Sequence, residues 1–191
     1  MIKSSSSRKN KGKNAQTILI GITASIAAYK ACEIISRLRK KGYIVKCAMS
    51  RDAQWFITPL TLETLTGHEV ARDMFRLPGE RDPAHISLAE EADLILVAPA
   101  TADIIGKTAS GICDDILTCV ICASSCPVVF APAMNDRMFA NRIVQDNIHY
   151  LRSKGFFFID PVVGDLACGR EGMGHLAPVE TIVKKAEKYL K

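Results

Sequence analysis

The sequence predicts an α/β protein: a Rossmann-like, doubly wound parallel sheet between two helical layers, in a single domain. Three observations carry this. The apolar runs 17–22 (T-I-L-I-G-I), 93–98 (D-L-I-L-V-A) and 127–130 (P-V-V-F) lack the polar alternation of a sheet that is wet on one face. Each is followed by residues at helical spacing, as parallel strands with crossover helices require. A chain of 191 residues with 48% hydrophobic and 24% charged residues suits one globule with its own core.

The elements follow in order. After strand 17–22 come small residues, then Ala27, Ala31, Ile34, Ile35 and Leu38 at helical spacing, stopped at Gly42. Residues 43–49 read as the second strand, and 53–65 as a helix broken at Pro59. The buried strand 93–98 is followed by one or two helices over 101–123, with a break near Gly111. After strand 127–130, the residues Phe139, Ile143, Val144, Ile148 and Leu151 stripe a helix. Residues 156–159 read as the last strand and 160–177 as a loop. Ile182, Val183, Ala186 and Leu190 stripe a closing helix. There is no internal repeat and no second domain.

Charge and cysteine usage narrow the function classes. The formal net charge is +5, but residues 1–16 hold Lys3, Arg8, Lys9, Lys11 and Lys13 and no acid. Without those five, basic and acidic residues balance, so no nucleic-acid-binding face is implied. Residues 1–16 are Ser- and Lys-rich and read as a disordered tail before a domain spanning 17–191. A transit peptide is disfavoured by the single Arg and the lack of an amphipathic face. No secretory or membrane-spanning segment is evident, so no membrane partner is expected. Seven cysteines, at 32, 47, 113, 119, 122, 126 and 168, are an odd and scattered set, which suits reduced thiols in the cytoplasm. Cys119-x-x-Cys122 lies in an apolar helical stretch with no second pair, so it reads as buried structural cysteine and no metal is expected.

Four segments carry candidate chemistry. In G-I-T-A-S-I-A-A-Y, residues 21–29, a strand gives way to a helix through Thr23 and Ser25. The helix start suits a phosphate, although Ser and Thr also cap helices everywhere. It is neither G-x-G-x-x-G nor a Walker loop. P-A-T-A-D, residues 99–103, follows the central strand. Thr101 and Asp103 are capping residues there, and Ala100 and Ala102 leave room for a flat ligand. A-P-A-M-N, residues 131–135, places the Asn135 amide beyond the next strand's carboxyl end, where open α/β sheets bind ligands. A-C-G-R-E-G-M-G, residues 167–174, is a glycine-punctuated loop with one thiol, Cys168, an uncommon choice for a loop. His85 precedes the central strand, and histidine is a common acid/base side chain. His68, His149 and His175 stand without such neighbours.

These segments, in this order, resemble the homo-oligomeric flavin-containing cysteine decarboxylases, over about residues 17–191. That family carries a His before the central strand, a P-A-S-A-N-T motif, a P-x-M-N-x-x-M-W motif and a late glycine-rich clamp. Here they stand as His85, P-A-T-A-D-I, P-A-M-N-D-R-M-F and 167–176. Asp103 replaces Asn, Phe139 replaces Trp, and His175-Leu176 replaces Arg-Met. The A-C-G form of the clamp is most similar to members that act on 4′-phosphopantothenoylcysteine in coenzyme A biosynthesis, here without a fused synthetase.

The resemblance implies FMN as cofactor and decarboxylation of that substrate to 4′-phosphopantetheine. The route is thiol oxidation to a thioaldehyde, loss of CO2 and re-reduction of the enethiol. It implies His85 as acid/base, Asn135 as holder of the substrate carboxylate and Cys168 as proton donor in the reduction. It places Thr23, Ser25, Ser50, Thr101, Ala102, Asp103 and Ala133 at FMN, and Met134, Asn135, Met138, Ala167 and Gly169 at the substrate. It also implies a homotrimer, or trimers assembled further, with FMN near subunit contacts. The alternatives are a peptidyl-cysteine decarboxylase and a non-catalytic FMN-binding regulatory protein.

Overall fold

The computed structural model describes residues 15–74 and 83–190. Five strands, β1 (Thr17–Ile22), β2 (Ile44–Met49), β3 (Leu94–Ala100), β4 (Val128–Pro132) and β5 (Phe157–Phe158), form one sheet in the order β2-β1-β3-β4-β5, parallel throughout. The strand order reverses between β1 and β3, which opens a crevice at their carboxyl ends. All seven residues of β3 are buried, as the central strand of a sheet covered on both faces must be.

The helices cover the two faces. Ile18, Ile20 and Ile22 of β1 point into one layer with α1 (Lys30–Lys40), α2 (Pro59–Thr66) and α8 (Val179–Glu187). Leu19 points into the other, with α3 (Ala84–Glu91), α4 (Ala102–Ser110), α5 (Ile116–Ala123) and α7 (Arg142–Ser153). Gly21 faces Leu117 of α5 so closely that a Cβ would stand 2.7 Å from its Cδ1. In that second layer Phe130 is fully buried and stacks on Phe158, with centroids 5.2 Å apart.

Most expected elements are present, with four differences. Pro59 does not break a helix: it is the first residue of α2, after a separate 3₁₀ turn Arg51–Trp55. The single stripe expected from Phe139 divides into α6 (Asp136–Ala140) and α7, because the Asn141 side chain takes the Ile143 N–H and starts a new helix. Residues 160–177 are not a plain loop. They hold an antiparallel hairpin, β6 (Val162–Asp165) and β7 (Glu171–His175). Its strands are rich in glycine and charge, so no apolar alternation marked them.

The fourth difference concerns Cys119 and Cys122. They are on α5 as expected, but Cys122 is exposed and Cys119 only half-buried. The buried stripe of α5 is Ile116, Leu117, Val120 and Ile121, and the two cysteines lie on the opposite side.

The expected tail falls mostly on residues 1–14, outside the described residues. Gln16 already runs beside the sheet, its carbonyl accepting from the Ile44 N–H at 3.0 Å. Among the described residues, no helix is long and apolar enough to cross a membrane.

Candidate active site

Each functional segment begins where a parallel strand ends. After β1, Thr23 is buried and its hydroxyl donates to the Pro99 carbonyl at 2.7 Å. The same oxygen accepts from the Thr101 N–H at 3.1 Å. Thr23 therefore ties the ends of β1 and β3 together and is not turned to a ligand. Ser25 caps the 3₁₀ turn Ile26–Tyr29 by accepting from the Ala27 N–H at 3.2 Å. After β3, Thr101 caps α4. After β4, the Ala133 N–H donates to the Ala100 carbonyl at 3.0 Å, which aligns the two strand exits.

These exits enclose a cavity of about 530 Å³, within the range of small-molecule sites. Ser25, Thr101, Ala102, Ala133, Met134, Asn135, Met138, Ala167 and Cys168 all line it. Ser25 therefore shares one chamber with Thr101, 76 residues on, and with Cys168, 143 residues on, as expected from the motifs. Ser50, Asp103, Thr23 and Gly169 are not in the wall. Ser50 begins the turn after β2, with its N–H on the Ile22 carbonyl at 2.9 Å. The exposed Asp103 side chain pairs with Lys107 at 3.3 Å. Gly169 occupies the hairpin turn with φ +78°.

Asn135 is held in one orientation. Its Oδ1 accepts from the Arg137 N–H at 2.9 Å, capping α6. The amide oxygen is thereby occupied, and Nδ2 is left as the donor on the cavity side. Nδ2 reaches Cys168 Sγ at 3.5 Å. The hairpin brings Cys168 there: its Gly174 carbonyl accepts from the Met134 N–H at 3.0 Å. Gly174 has φ +149°, and a Cβ at this position would collide with the Met134 carbonyl. Only glycine permits that approach.

The exposed Cys168 thiol has a pKa below the ordinary cysteine value. The main cause is a hydrogen bond from Arg170, whose guanidinium also pairs with Asp136 at 2.7 Å. Cys113, just before α5, contrasts with it. Burial and the neighbouring Cys122 thiol push Cys113 up to about 11.

His85 lies in the first turn of α3, and α3 packs against α5. It is not in the cavity wall of its own chain. Its Nδ1 is buried and has no hydrogen-bond partner among the described residues. Lys30 and Asp165 were not singled out by sequence reasoning, Arg170 was given no role, and His175 was named only as a departure at the end of the glycine-rich clamp. Lys30, Asp165 and His175 line the wall, and Arg170 tunes Cys168. His175 had no company in sequence because its partner strand β6 went unread.

The profile of the flavoprotein family matches residues 4–191. The chain belongs to the flavoprotein family. A coenzyme A biosynthesis bifunctional protein CoaBC of Bacillus subtilis (strain 168) is 46% identical over 92% of this chain, which spans 43% of that protein's length. A probable phosphopantothenoylcysteine decarboxylase of Streptococcus mutans is 43% identical, covering 91% of this chain and 98% of its own. Among solved structures, a PPC decarboxylase mutant complexed with pantothenoylaminoethenethiol aligns with TM-score 0.83 at 27% identity, covering 92% of this chain and 98% of its own. The peptidyl-cysteine decarboxylase EpiD aligns with TM-score 0.76 at 27% identity, covering 91% and 99%. The parallel five-stranded sheet flanked by helices matches the fold of these neighbours.

Proposed function

We propose that this chain is an FMN-dependent carboxy-lyase that converts 4′-phosphopantothenoylcysteine to 4′-phosphopantetheine in coenzyme A biosynthesis. The observation that carries the reading is the 3.5 Å contact between Asn135 Nδ2 and Cys168 Sγ at the wall of the cavity. One atom there can hold a carboxylate, and the other can deliver a proton. The relatives named for this reaction point the same way, among them one matched over nearly its whole length.

The cavity fits FMN. Ala133, at the exit of β4, presents a small side chain to a flat ring. The N–H groups of Ala102 and Asp103, at the start of α4, have no acceptor within the helix and suit a phosphate. Bound FMN supplies a reversible two-electron acceptor, without which a simple cysteinyl carboxylate has no route to CO2 loss.

The protein's own groups do the rest. Asn135 Nδ2 orients the substrate carboxylate by donating to it, while its oxygen stays on Arg137. Met134, Met138 and Ala167 supply apolar wall. Cys168 holds a proton at Sγ for the last step, and Arg170 stabilises the thiolate left behind. His85 is the acid/base at the substrate sulfur. It serves the cavity of a neighbouring copy in a homotrimer, with the cofactor near the subunit contact. The exposed Ile26 and Tyr29 at the cavity rim support this, since a neighbouring copy would cover them. Seven free cysteines suit a cytoplasmic setting.

The test is direct. Protein purified and loaded with FMN should show a bound-flavin spectrum and release CO2 from 4′-phosphopantothenoylcysteine in preference to a cysteine-terminated peptide. Cys168→Ser should still release CO2 but accumulate the enethiol. A protein that binds no flavin, or that prefers the peptide, overturns the reading.

A further inference from the structure

Two polar side chains in the cavity wall take no part in the chemistry above. Lys30, the first residue of α1, and His175, the last of β7, meet with 2.9 Å between Nζ and Nε2. His175 Nδ1 lies 2.9 Å from the Asp165 carbonyl oxygen across the hairpin. A carbonyl only accepts, so Nδ1 carries the hydrogen and Nε2 presents its lone pair. The Lys30 ammonium therefore donates one of its three N–H groups to His175 and keeps two. Gly164 makes room for the ring: a Cβ there would stand 3.1 Å from His175 Cγ. Among the described residues, no carboxylate comes within ion-pair distance of Lys30. A half-buried cation is thus held in place by a neutral acceptor and faces the chamber with its charge unanswered.

We infer that Lys30, positioned by His175, is the receptor for the phosphate monoester of the substrate and makes the site specific for phosphorylated acids. This rests on the decarboxylase reading, in which the substrate has an anion at each end. Asn135 and Cys168 are committed to the cysteinyl end, and the start of α4 to the cofactor phosphate. Among the described residues, Lys30 is the remaining cation in the wall. An ammonium is an effective point-charge partner for phosphate. The hairpin that carries Cys168 also carries His175, so one seated element sets both ends of the substrate site.

The experiment compares 4′-phosphopantothenoylcysteine with its dephosphorylated form on the FMN-loaded full chain. Lys30→Met should raise KM for the phosphorylated acid about 10- to 100-fold, the usual range for losing a charged hydrogen bond. The KM of the dephosphorylated acid should rise far less. His175→Phe should act in the same direction. His175→Gln, whose amide can donate to Asp165 and accept from Lys30, should restore much of the preference. FMN affinity, titrated by fluorescence, should stay at the wild-type value in all three. Lost FMN affinity would assign the phosphate to the cofactor and overturn the inference. So would equal KM changes for both acids, or a wild-type protein with no preference between them. A wild-type protein that decarboxylates neither acid overturns the decarboxylase reading itself, and this inference with it.

Discussion

Asn135 caps α6 through its oxygen and faces the cavity with its nitrogen, so structure and chemistry can be separated at one side chain. Asn135→Asp keeps a capping oxygen and should leave Tm within a degree or two. It places a carboxylate against the substrate's own, however. At about 4 Å and an effective dielectric near 20, that repulsion is about 4 kcal/mol, roughly a thousandfold in affinity. Equilibrium binding of the substrate, set beside a thermal melt, checks both halves. Arg170 offers a second test. It holds the Cys168 thiol below the ordinary cysteine range. The thiolate fraction at a given pH should therefore fall in Arg170→Met, and the alkylation rate-against-pH curve should move to higher pH. An unmoved curve would remove Arg170 from that role. Asn135 and Cys168 were legible in sequence as unusual residue types beyond a strand and in a loop. Their mutual orientation was not, because it depends on which end of an amide is used by a cap.

The hairpin β6–β7 is the element on which the site turns. Gly174→Ala sets a Cβ against the Met134 carbonyl and strains a positive φ. It should cost about 1–3 kcal/mol and expose residues 160–177 to limited proteolysis while the parallel sheet keeps its circular dichroism. Phe130→Ala, by contrast, empties the core between sheet and helices. It should cost about 3–5 kcal/mol in urea unfolding without selective cutting of the hairpin. The parallel strands announced themselves in sequence because burial on both faces leaves only apolar residues. The hairpin did not, because Gly164, Gly172 and Gly174 replace side chains where ring and backbone approach closely. With it went the pairing of Asp165 with His175, and hence the Lys30 contact. The split between α6 and α7 was hidden for a similar reason: Asn141 interrupts the backbone while the apolar stripe continues past it.

At the scale of the molecule, the cavity of one chain lacks the histidine that its motifs supply. If His85 serves a neighbouring copy, two inactive proteins can repair each other. A mixture of His85→Asn and Asn135→Asp chains, dissociated and reassembled together, should recover about a quarter of wild-type CO2 release, the fraction expected for random association. Recovery near zero, in protein shown to have exchanged subunits, would place His85 and Asn135 in one chain's site. The sequence contains a single tryptophan, Trp55, at the turn after β2 and 86% exposed in the isolated chain. A lone indole in water emits at long wavelength and is quenched by iodide. Its colour and its quenching therefore report, without any label, whether self-association shields the surface around β2 or leaves it wet.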